Sequence, residues 1–314
     1  MIRTATGNIG IADVKKVLVH EHIQCVSNDM LHMFGDDWID NNVLAKYASN
    51  ILKSINEKWN VNLIVDGTPI DLGRNISLLK SVSEKSGTYI VASTGLYHYP
   101  SFVTGGNDEI QIASWFLKEC IEGAEKTGVF PGMLKCAASH EGITSDTKKR
   151  MTAMAYVAKE TQLPIYVHCP HKGDIAKEQL EILLKNGVKA HQILIGHCAI
   201  NPKSDYLKDV LKNGCYIVMD QCHCTRRTPE EIATCLYELC KDGYSSKVML
   251  SNDMCIYSDF PHRNKNGMQL TWEEQAENFG FVFKHILPAF ESVGGNDEYI
   301  TKMVRDNVLE VLDV

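Results

Sequence analysis

The sequence of 314 residues contains no run of eighteen apolar residues, so it offers no candidate for a membrane-spanning helix. It also lacks an excess of positive charge. Its 32 Lys and Arg against 39 Asp and Glu give a formal net charge of −7, which argues against a nucleic-acid-binding surface. The first residues carry no apolar export segment, and eleven cysteines in such a chain favour free thiols in a reducing cytoplasm. We find no linker, repeat or low-complexity segment, and we therefore expect one domain over residues 1–314.

Short apolar runs alternate with longer segments of helical periodicity along the chain. The runs occupy residues 17–23, 62–67, 88–94, 132–137, 164–169, 193–198, 215–220 and 247–253. Most are solidly apolar, as expected of strands buried on both faces of a parallel sheet. Eight strands that alternate with helices predict an α/β fold of the (β/α)8 TIM-barrel type. The alternative, a doubly wound open sheet, would require a glycine-rich first turn, whereas the first run here ends in His-Glu-His.

Polar residues interrupt these runs at the strand ends, where an α/β barrel carries its functional groups. His20 and His22 lie two apart on one strand and therefore project from the same face. The full set is His20, His22, Lys135, His168, His197 and Asp253. Each could instead be a hydrogen-bonded core residue, but a buried lysine or aspartate is costly unless it is paired or bound to metal. Six such residues at one end of one barrel predict a metal centre.

The same residues, in this strand order, resemble the phosphotriesterase-like (lactonase) family of the amidohydrolase superfamily. The resemblance runs nearly end to end. It includes Val65-Asp66-Gly67-Thr68, Gly73-Arg74-Asn75 and the segment Ala-Ser-Thr-Gly-Leu-Tyr that ends at Tyr97. It implies a metal-dependent hydrolase of ester bonds with two metal ions at the C-terminal ends of the strands.

The resemblance implies a set of protein ligands for each of the two metal ions. One divalent ion would be held by His20, His22 and Asp253, and the other by His168 and His197. Lys135, carboxylated on its amine by carbon dioxide, would bridge the two ions together with a hydroxide. A carbamate is an anionic oxygen ligand, whereas an ammonium group has no lone pair and would repel both cations. Zinc suits the nitrogen and oxygen donors, and manganese, cobalt and iron remain alternatives.

The implied mechanism is attack of the metal-bridging hydroxide on an ester carbonyl or phosphoryl group. Asp253 is a catalytic candidate because it can accept the proton of the hydroxide and pass it to the leaving oxygen. Tyr97 matches a tyrosine that lines the pocket of family lactonases, and it could donate to the carbonyl or leaving oxygen. The alternative for Tyr97 is an aromatic pocket wall without a chemical role.

Positive charge gathers in the loops after the seventh and eighth strands of this acidic chain, where barrels often bind phosphate. The candidate substrate-binding residues are Arg226 and Arg227, Arg263 and Lys265, and the pair His171 and Lys172 just past the fifth strand. They favour an anionic small-molecule substrate, and we expect a phosphorylated sugar-acid lactone. For any one of these residues the alternative is ordinary solvated loop charge.

Two other functions remain open from the sequence. The same site could hydrolyse organophosphate triesters or aryl esters, although the basic loops argue mildly against these uncharged substrates. A non-catalytic metal or redox protein would use Cys222-His223-Cys224, but two cysteines are a weak signal for a metal site. The alternative for these thiols is a place in the core.

For the assembly, a homodimer is the default expectation.

Overall fold

A closed parallel sheet organises the structure, a computed structural model that describes residues 1–99, 102–259 and 270–314. A short antiparallel hairpin, β1 (Ile2–Thr4) and β2 (Gly7–Ile9), precedes it. The sheet consists of β3 (Lys16–Cys25), β4 (Val61–Asp66), β5 (Tyr89–Gly95), β6 (Met133–Ala137), β7 (Ile165–His168), β8 (Ile193–Ile195), β9 (Tyr216–Met219), β10 (Val248–Leu250) and β11 (Cys255–Ser258). Its order is β10-β9-β8-β7-β6-β5-β4-β3-β11, and every neighbouring pair is parallel.

The strands β10 and β11 together fill one position of this sheet and close it. β10 pairs with β9, and β11 pairs with β3. Between them, the Asp253 amide donates to the His20 carbonyl at 3.0 Å, and the His22 amide donates to the Met254 carbonyl at 2.8 Å. The predicted (β/α)8 barrel is thereby confirmed. Of the run predicted at 247–253, only residues 248–250 form a strand, and β11 lies beyond the run. Asp253, between the two strands, has a φ of 55°, a left-handed conformation that no regular strand accommodates.

Helices cover the outside of the sheet. They are α1 (Asn28–Phe34), α2 (Asn41–Trp59), α3 (Ile76–Ser86), α4 (Phe102–Gly105), α5 (Glu109–Glu122), α6 (Ser145–Thr161), α7 (Ile175–Lys185), α8 (Ser204–Leu211), α9 (Pro229–Leu239), α10 (Trp272–Phe279), α11 (Leu287–Ser292), α12 (Asp297–Thr301) and α13 (Asn307–Leu312). Thr228 and Thr271 begin α9 and α10 through capping boxes. The first turn of α3 is capped by the Asn75 side chain.

The inside of the barrel is filled with side chains on its N-terminal side. Val17 and Val19 of β3 pack there with Tyr216 of β9, and Ile2 of the hairpin belongs to the same buried cluster. Because this half of the interior is a solid core, space for a ligand remains at the C-terminal ends of the strands. Within the described ranges, no helix combines the length and the apolar content needed to cross a membrane.

Candidate metal centre

Strand β3 presents His20 and His22 to the C-terminal end of the barrel. The His22 Nδ1 lies 2.8 Å from Thr68 Oγ1, and that hydroxyl donates its own hydrogen to the Gln24 carbonyl. The Thr68 oxygen must therefore accept a hydrogen from His22 Nδ1, and Nε2 is the nitrogen that carries the lone pair once the imidazole is neutral. Burial lowers the pKa of His22, but Cys25 and Asp253 outweigh burial and raise the pKa to about 10, so a metal ion at Nε2 must displace a proton. This Nε2 faces Asp253 Oδ1 at 3.0 Å. The imidazole of His22, oriented by Thr68, can act as a metal ligand.

Asp220, which follows β9, orients two imidazoles at once. Its Oδ2 lies 2.8 Å from His20 Nδ1, and its Oδ1 lies 2.9 Å from His197 Nδ1 and accepts from the His197 amide at 2.7 Å. The Tyr166 hydroxyl also donates to it. Burial raises the pKa of this carboxyl, but His197 and His20 outweigh burial and hold the pKa below its ordinary value. The ionised Asp220 fixes the Nε2 atoms of both histidines as lone-pair donors.

Lys135 on β6 places an amine in the middle of this cluster. Its Nζ lies 2.6 Å from His20 Nε2 and 4.0 Å from the centre of the Tyr166 ring. Only 1% of the lysine is exposed. Burial lowers the pKa of Lys135 to about 8, which increases the fraction of neutral amine near neutral pH. A neutral, buried amine is the form of lysine that can react with carbon dioxide.

His168 on β7 and His197 after β8 form the opposite side of the cluster. The His168 Nδ1 lies 2.5 Å from the His197 Nε2. Burial, together with the neighbouring His197, lowers the pKa of His168 well below its usual value, and burial lowers that of His20 to about 3. Both imidazoles are neutral near neutral pH, which is the state that binds a metal ion.

Asp253, in the link between β10 and β11, completes the donor set. Its Oδ1 faces His22, and its Oδ2 accepts a hydrogen bond from Gln221 Nε2 at 2.7 Å. Burial raises the pKa of Asp253, but the adjacent imidazoles of His20 and His22 hold it well below the ordinary range. His20, His22 and Asp253 offer ligand atoms that all lie within 4.8 Å of one another. Imidazole nitrogens and carboxylates at such distances fit divalent transition metals, which bind the imidazoles in their neutral form.

A cavity of about 180 Å³ opens over this cluster. It is lined by His20, His22, Cys25, Leu72, Tyr97, Tyr99, Lys135, His168, His197, Gln221 and Asp253. The Tyr97 hydroxyl lies 3.5 Å from His168 Nδ1 and 3.4 Å from its Nε2. The structure therefore brings together all six residues singled out as metal ligands, with Tyr97 beside them.

The residues predicted to bind substrate do not line this cavity or lie outside the described residues. Arg226, Arg227 and Lys172 are exposed and do not line this cavity. His171 does not line it either. Its Nε2 lies 2.6 Å from the Gly196 carbonyl and its Nδ1 lies 3.3 Å from the Tyr206 hydroxyl, so its ring is held against the loop that carries His197. Arg263 and Lys265 lie outside the described residues.

Two functional residues of the cluster were not identified from the sequence. Asp220 ends an apolar run, and the rule that singled out Asp253 applies to it equally. Gln221 carries no such signal, because its role depends on a left-handed φ of 59° that turns its amide toward Asp253.

The cysteines form no second centre among the residues described. Cys222 is buried with its Sγ 3.6 Å from the Met219 carbonyl, whereas Cys224 is exposed. The two groups able to hold a metal ion in the described ranges, His20-His197-Asp220 and His20-His22-Asp253, contain no thiol.

Comparisons with known proteins agree with this geometry. The model of the phosphotriesterase family matches residues 1–312. The chain is similar to an aryldialkylphosphatase of Saccharolobus solfataricus, at 31% identity over 94% of each chain. It is also similar to an N-acetyltaurine hydrolase of Dictyostelium discoideum, at 21% identity over 93% of this chain and 82% of the relative. A solved structure of the phosphotriesterase from Mycobacterium tuberculosis superposes with a TM-score of 0.89, at 26% identity, and the match covers 99% of this chain and 98% of that one. The chain belongs to the phosphotriesterase family, whose members are metal-dependent ester hydrolases.

Proposed function

We propose that this enzyme opens a lactone ring, and that its substrate is a phosphorylated sugar-acid lactone. The observation that carries the proposal is the small cavity, about 180 Å³, with the Tyr97 hydroxyl beside the histidine cluster. Pockets for drug-sized ligands usually measure roughly 300–1,000 Å³. The space directly over the cluster therefore suits a five- or six-membered ring better than a bulky triester, whose larger groups would have to occupy the cavity of about 860 Å³ that shares Tyr99 with it.

The proposed metal ligands divide into two sets, one on each side of the cluster. His20, His22 and Asp253 would hold one divalent ion, and His168 and His197 the other. Lys135 would bridge them as a carbamate, formed when its neutral amine adds carbon dioxide and releases one proton. When bound, such ions lower the pKa of water and polarise a carbonyl oxygen. Zinc is the proposed metal, with manganese, cobalt or iron as alternatives that the nitrogen and oxygen donors also accept.

The chain's own residues then handle protons. Asp253 accepts a proton from the attacking water and returns it to the ring oxygen that leaves. Gln221 donates to Asp253 Oδ2 while Oδ1 faces His22, and these contacts fix the orientation of the carboxylate at the reacting groups. Tyr97 donates its hydroxyl hydrogen to the carbonyl or the leaving oxygen, since its phenol stands at the edge of the cavity.

Charged loops at the same end of the barrel support an anionic substrate. Arg226 and Arg227 follow β9, and Arg227 also pairs with Glu231 at 3.5 Å. We assign the phosphate to Arg226 and Arg227 together with Arg263 and Lys265, and Lys172 to the rim. His171 would act indirectly by holding Gly196. The similarity to an N-acetyltaurine hydrolase, a relative named for an anionic compound, points the same way.

The alternative substrate class is an organophosphate triester or aryl ester. It is favoured by the 31% identity to an aryldialkylphosphatase. The small, polar cavity among the described residues favours the lactone over it.

The wider setting of the enzyme is also proposed. We infer that residues 1–314 act as one hydrolase domain, since the family model matches 1–312. Eleven free cysteines, ten of them buried, support a reducing compartment such as the cytoplasm. A homodimer is the proposed assembly.

The test is proton release by the metal-loaded protein on a substrate panel. The panel pairs 1,4-lactones of five-carbon sugar acids with and without a 5-phosphate, and adds aliphatic lactones and an aryl phosphotriester. We expect the phosphorylated lactones to be preferred. The Arg226→Ala variant should raise KM for them by about tenfold, while leaving KM for the unphosphorylated lactones unchanged. Lys118→Ala, which removes an exposed cation on α5, is the matched control. Preference for plain lactones or for the triester would contradict the phosphate assignment.

A further inference from the structure

Two charged side chains, Asp71 and Arg150, form hydrogen bonds with the main chain of Tyr97, and these contacts are called the grip below. Its amide donates to both oxygens of the Asp71 carboxylate, at 2.9 Å each. Its carbonyl accepts a hydrogen bond from Arg150 Nη1 at 2.8 Å. We propose that Asp71 and Arg150 are positioning residues that fix the Tyr97 phenol over the metal centre and so set substrate binding. This proposal rests on the role of Tyr97 in the proposed function.

The two gripping residues come from different parts of the barrel. Asp71 lies in the short turn Ile70–Leu72 after β4, and Arg150 lies in the second turn of α6. Arg150 is only 2% exposed, and its other terminal nitrogen is paired with Asp146. Burying a guanidinium is costly unless it is paired, and Asp146 and the Tyr97 carbonyl are the partners of its two terminal nitrogens.

Charge strengthens this grip. Hydrogen bonds in which one partner is ionised are roughly twice as strong as neutral ones. Burial raises the pKa of Asp71 to about 6. The Tyr97 amide, the Asp71 amide, Arg150 and Lys135 all act to lower it. The carboxyl is therefore ionised at neutral pH. An anion accepts from the N–H of Tyr97 and a cation donates to its C=O. Together, these two hydrogen bonds fix the orientation of the Tyr97 backbone.

The neighbouring segments make the grip relevant to the cavity. The turn that carries Asp71 also carries Leu72, and Thr68 three residues earlier holds the His22 ring. The Leu96 amide donates to the Lys135 carbonyl at 3.2 Å, which ties the start of the same loop to β6. A shift of the Tyr97 backbone would move its hydroxyl relative to His168, whose Nε2 lies 3.4 Å from that hydroxyl. A displaced hydroxyl would form a weaker hydrogen bond with the bound substrate.

A double-mutant cycle separates this role from simple support of the fold. The variants are Asp71→Asn, Tyr97→Phe and their combination, with two metal ions per chain verified in each. We expect Asp71→Asn to raise KM for the preferred lactone by about tenfold with kcat changed less than about threefold, because a displaced phenol weakens a hydrogen bond to the carbonyl that is made in the ground state and the transition state alike. In the Tyr97→Phe background the same change should have less than about a twofold effect, because the hydroxyl through which it acts is gone. Equal effects of Asp71→Asn in both backgrounds would overturn the proposal, as would a Tyr97→Phe enzyme with unchanged kinetics.

Hydrogen–deuterium exchange of the peptide covering residues 96–99 tests the grip without turnover. In Asp71→Asn and in Arg150→Lys, we expect the Tyr97 amide to exchange at least about tenfold faster than in the parent protein. Asp205→Asn, which removes a fully exposed carboxylate on α8, should leave this peptide unchanged. If no panel substrate is hydrolysed, the proposed function fails while faster exchange still supports the grip. Unchanged exchange in both variants overturns the grip whatever the activity.

Discussion

At the scale of single residues, Asp220 shows how one carboxylate organises a metal centre that it need not touch. It receives hydrogen bonds from the Nδ1 atoms of His20 and His197. The His20 Nε2 then faces Lys135 Nζ, and the His197 Nε2 faces His168 Nδ1. Partners of this kind fix the tautomer and the ring orientation of metal-binding histidines. The geometry of both sides of the cluster therefore depends on this one side chain.

Asp220→Asn is predicted to weaken metal binding. The amide offers one acceptor oxygen instead of two, so one of the two imidazoles loses its partner and its fixed orientation. We expect a loss of about 10–100-fold in metal affinity or in kcat/KM, measured by metal titration and lactone hydrolysis. Asp209→Asn, which changes an exposed carboxylate paired with Lys177 and Lys212, is the control and should behave as the parent. Parent-like metal affinity in Asp220→Asn would contradict the orienting role.

The sequence indicates such residues only when strand position determines their place. The six ligand candidates end buried strands, and parallel strands bring their ends together, so their convergence was predictable. Asp220 follows the same rule and could have been found. Gln221 could not, because a left-handed φ of 59° directs its side chain toward Asp253, and periodicity does not report such local conformations.

At the scale of elements, the end of β4 lies close beneath the imidazoles of β3. Gly67 follows β4, and its amide donates to the Glu21 carbonyl at 2.8 Å, which continues the ladder between the two strands. A Cβ at this position would lie 2.4 Å from Cδ2 and 2.8 Å from Nε2 of His20, and 3.3 Å from Cε1 of His22. The two histidines therefore require a residue without a side chain at the strand end.

Gly67→Ala is predicted to disturb the centre and the barrel together. Relief of the 2.4 Å approach must move either the His20 ring or the backbone of β4. We expect a loss of about 1–3 kcal/mol in the free energy of unfolding, measured with denaturant, and a reduced metal content. Gly105→Ala is the matched control, since an added Cβ there meets nothing within 4 Å. If both variants have the same stability and metal content, the tight packing at Gly67 is not functional.

The elements themselves were predictable wherever hydrophobic period and cap signals agreed. All eight strand positions were placed, and the capping boxes located α9 and α10. The eighth strand was not predicted as two pieces, because its interruption comes from the backbone of Asp253 and from pairing with β3 across the closed ring. Such a contact joins residues more than 200 positions apart, and no local window of sequence contains it.

At the scale of the whole molecule, the metal centre links strands from around the entire barrel. Its candidate ligands come from β3, β6, β7, the end of β8 and the link between β10 and β11. The last of these is also where the ring closes, through hydrogen bonds between residues 253–254 and β3. A bound ion would therefore cross-link elements that are far apart in the chain, and these ligand positions do not exist in the unfolded chain.

Metal removal is accordingly predicted to destabilise the whole barrel rather than the site alone. A ligand that binds only the folded state stabilises it by about 2.7 kcal/mol at a free concentration of 100 times its Kd. We expect chelation to lower Tm by about 5 °C or more, and added divalent ion to restore it, as measured by calorimetry. In His197→Asn, which lacks one candidate ligand, the gain on adding metal should shrink, whereas in the Asp209→Asn control it should be complete. Equal Tm values with and without metal would show that the cluster does not bind ions tightly enough to hold the barrel closed.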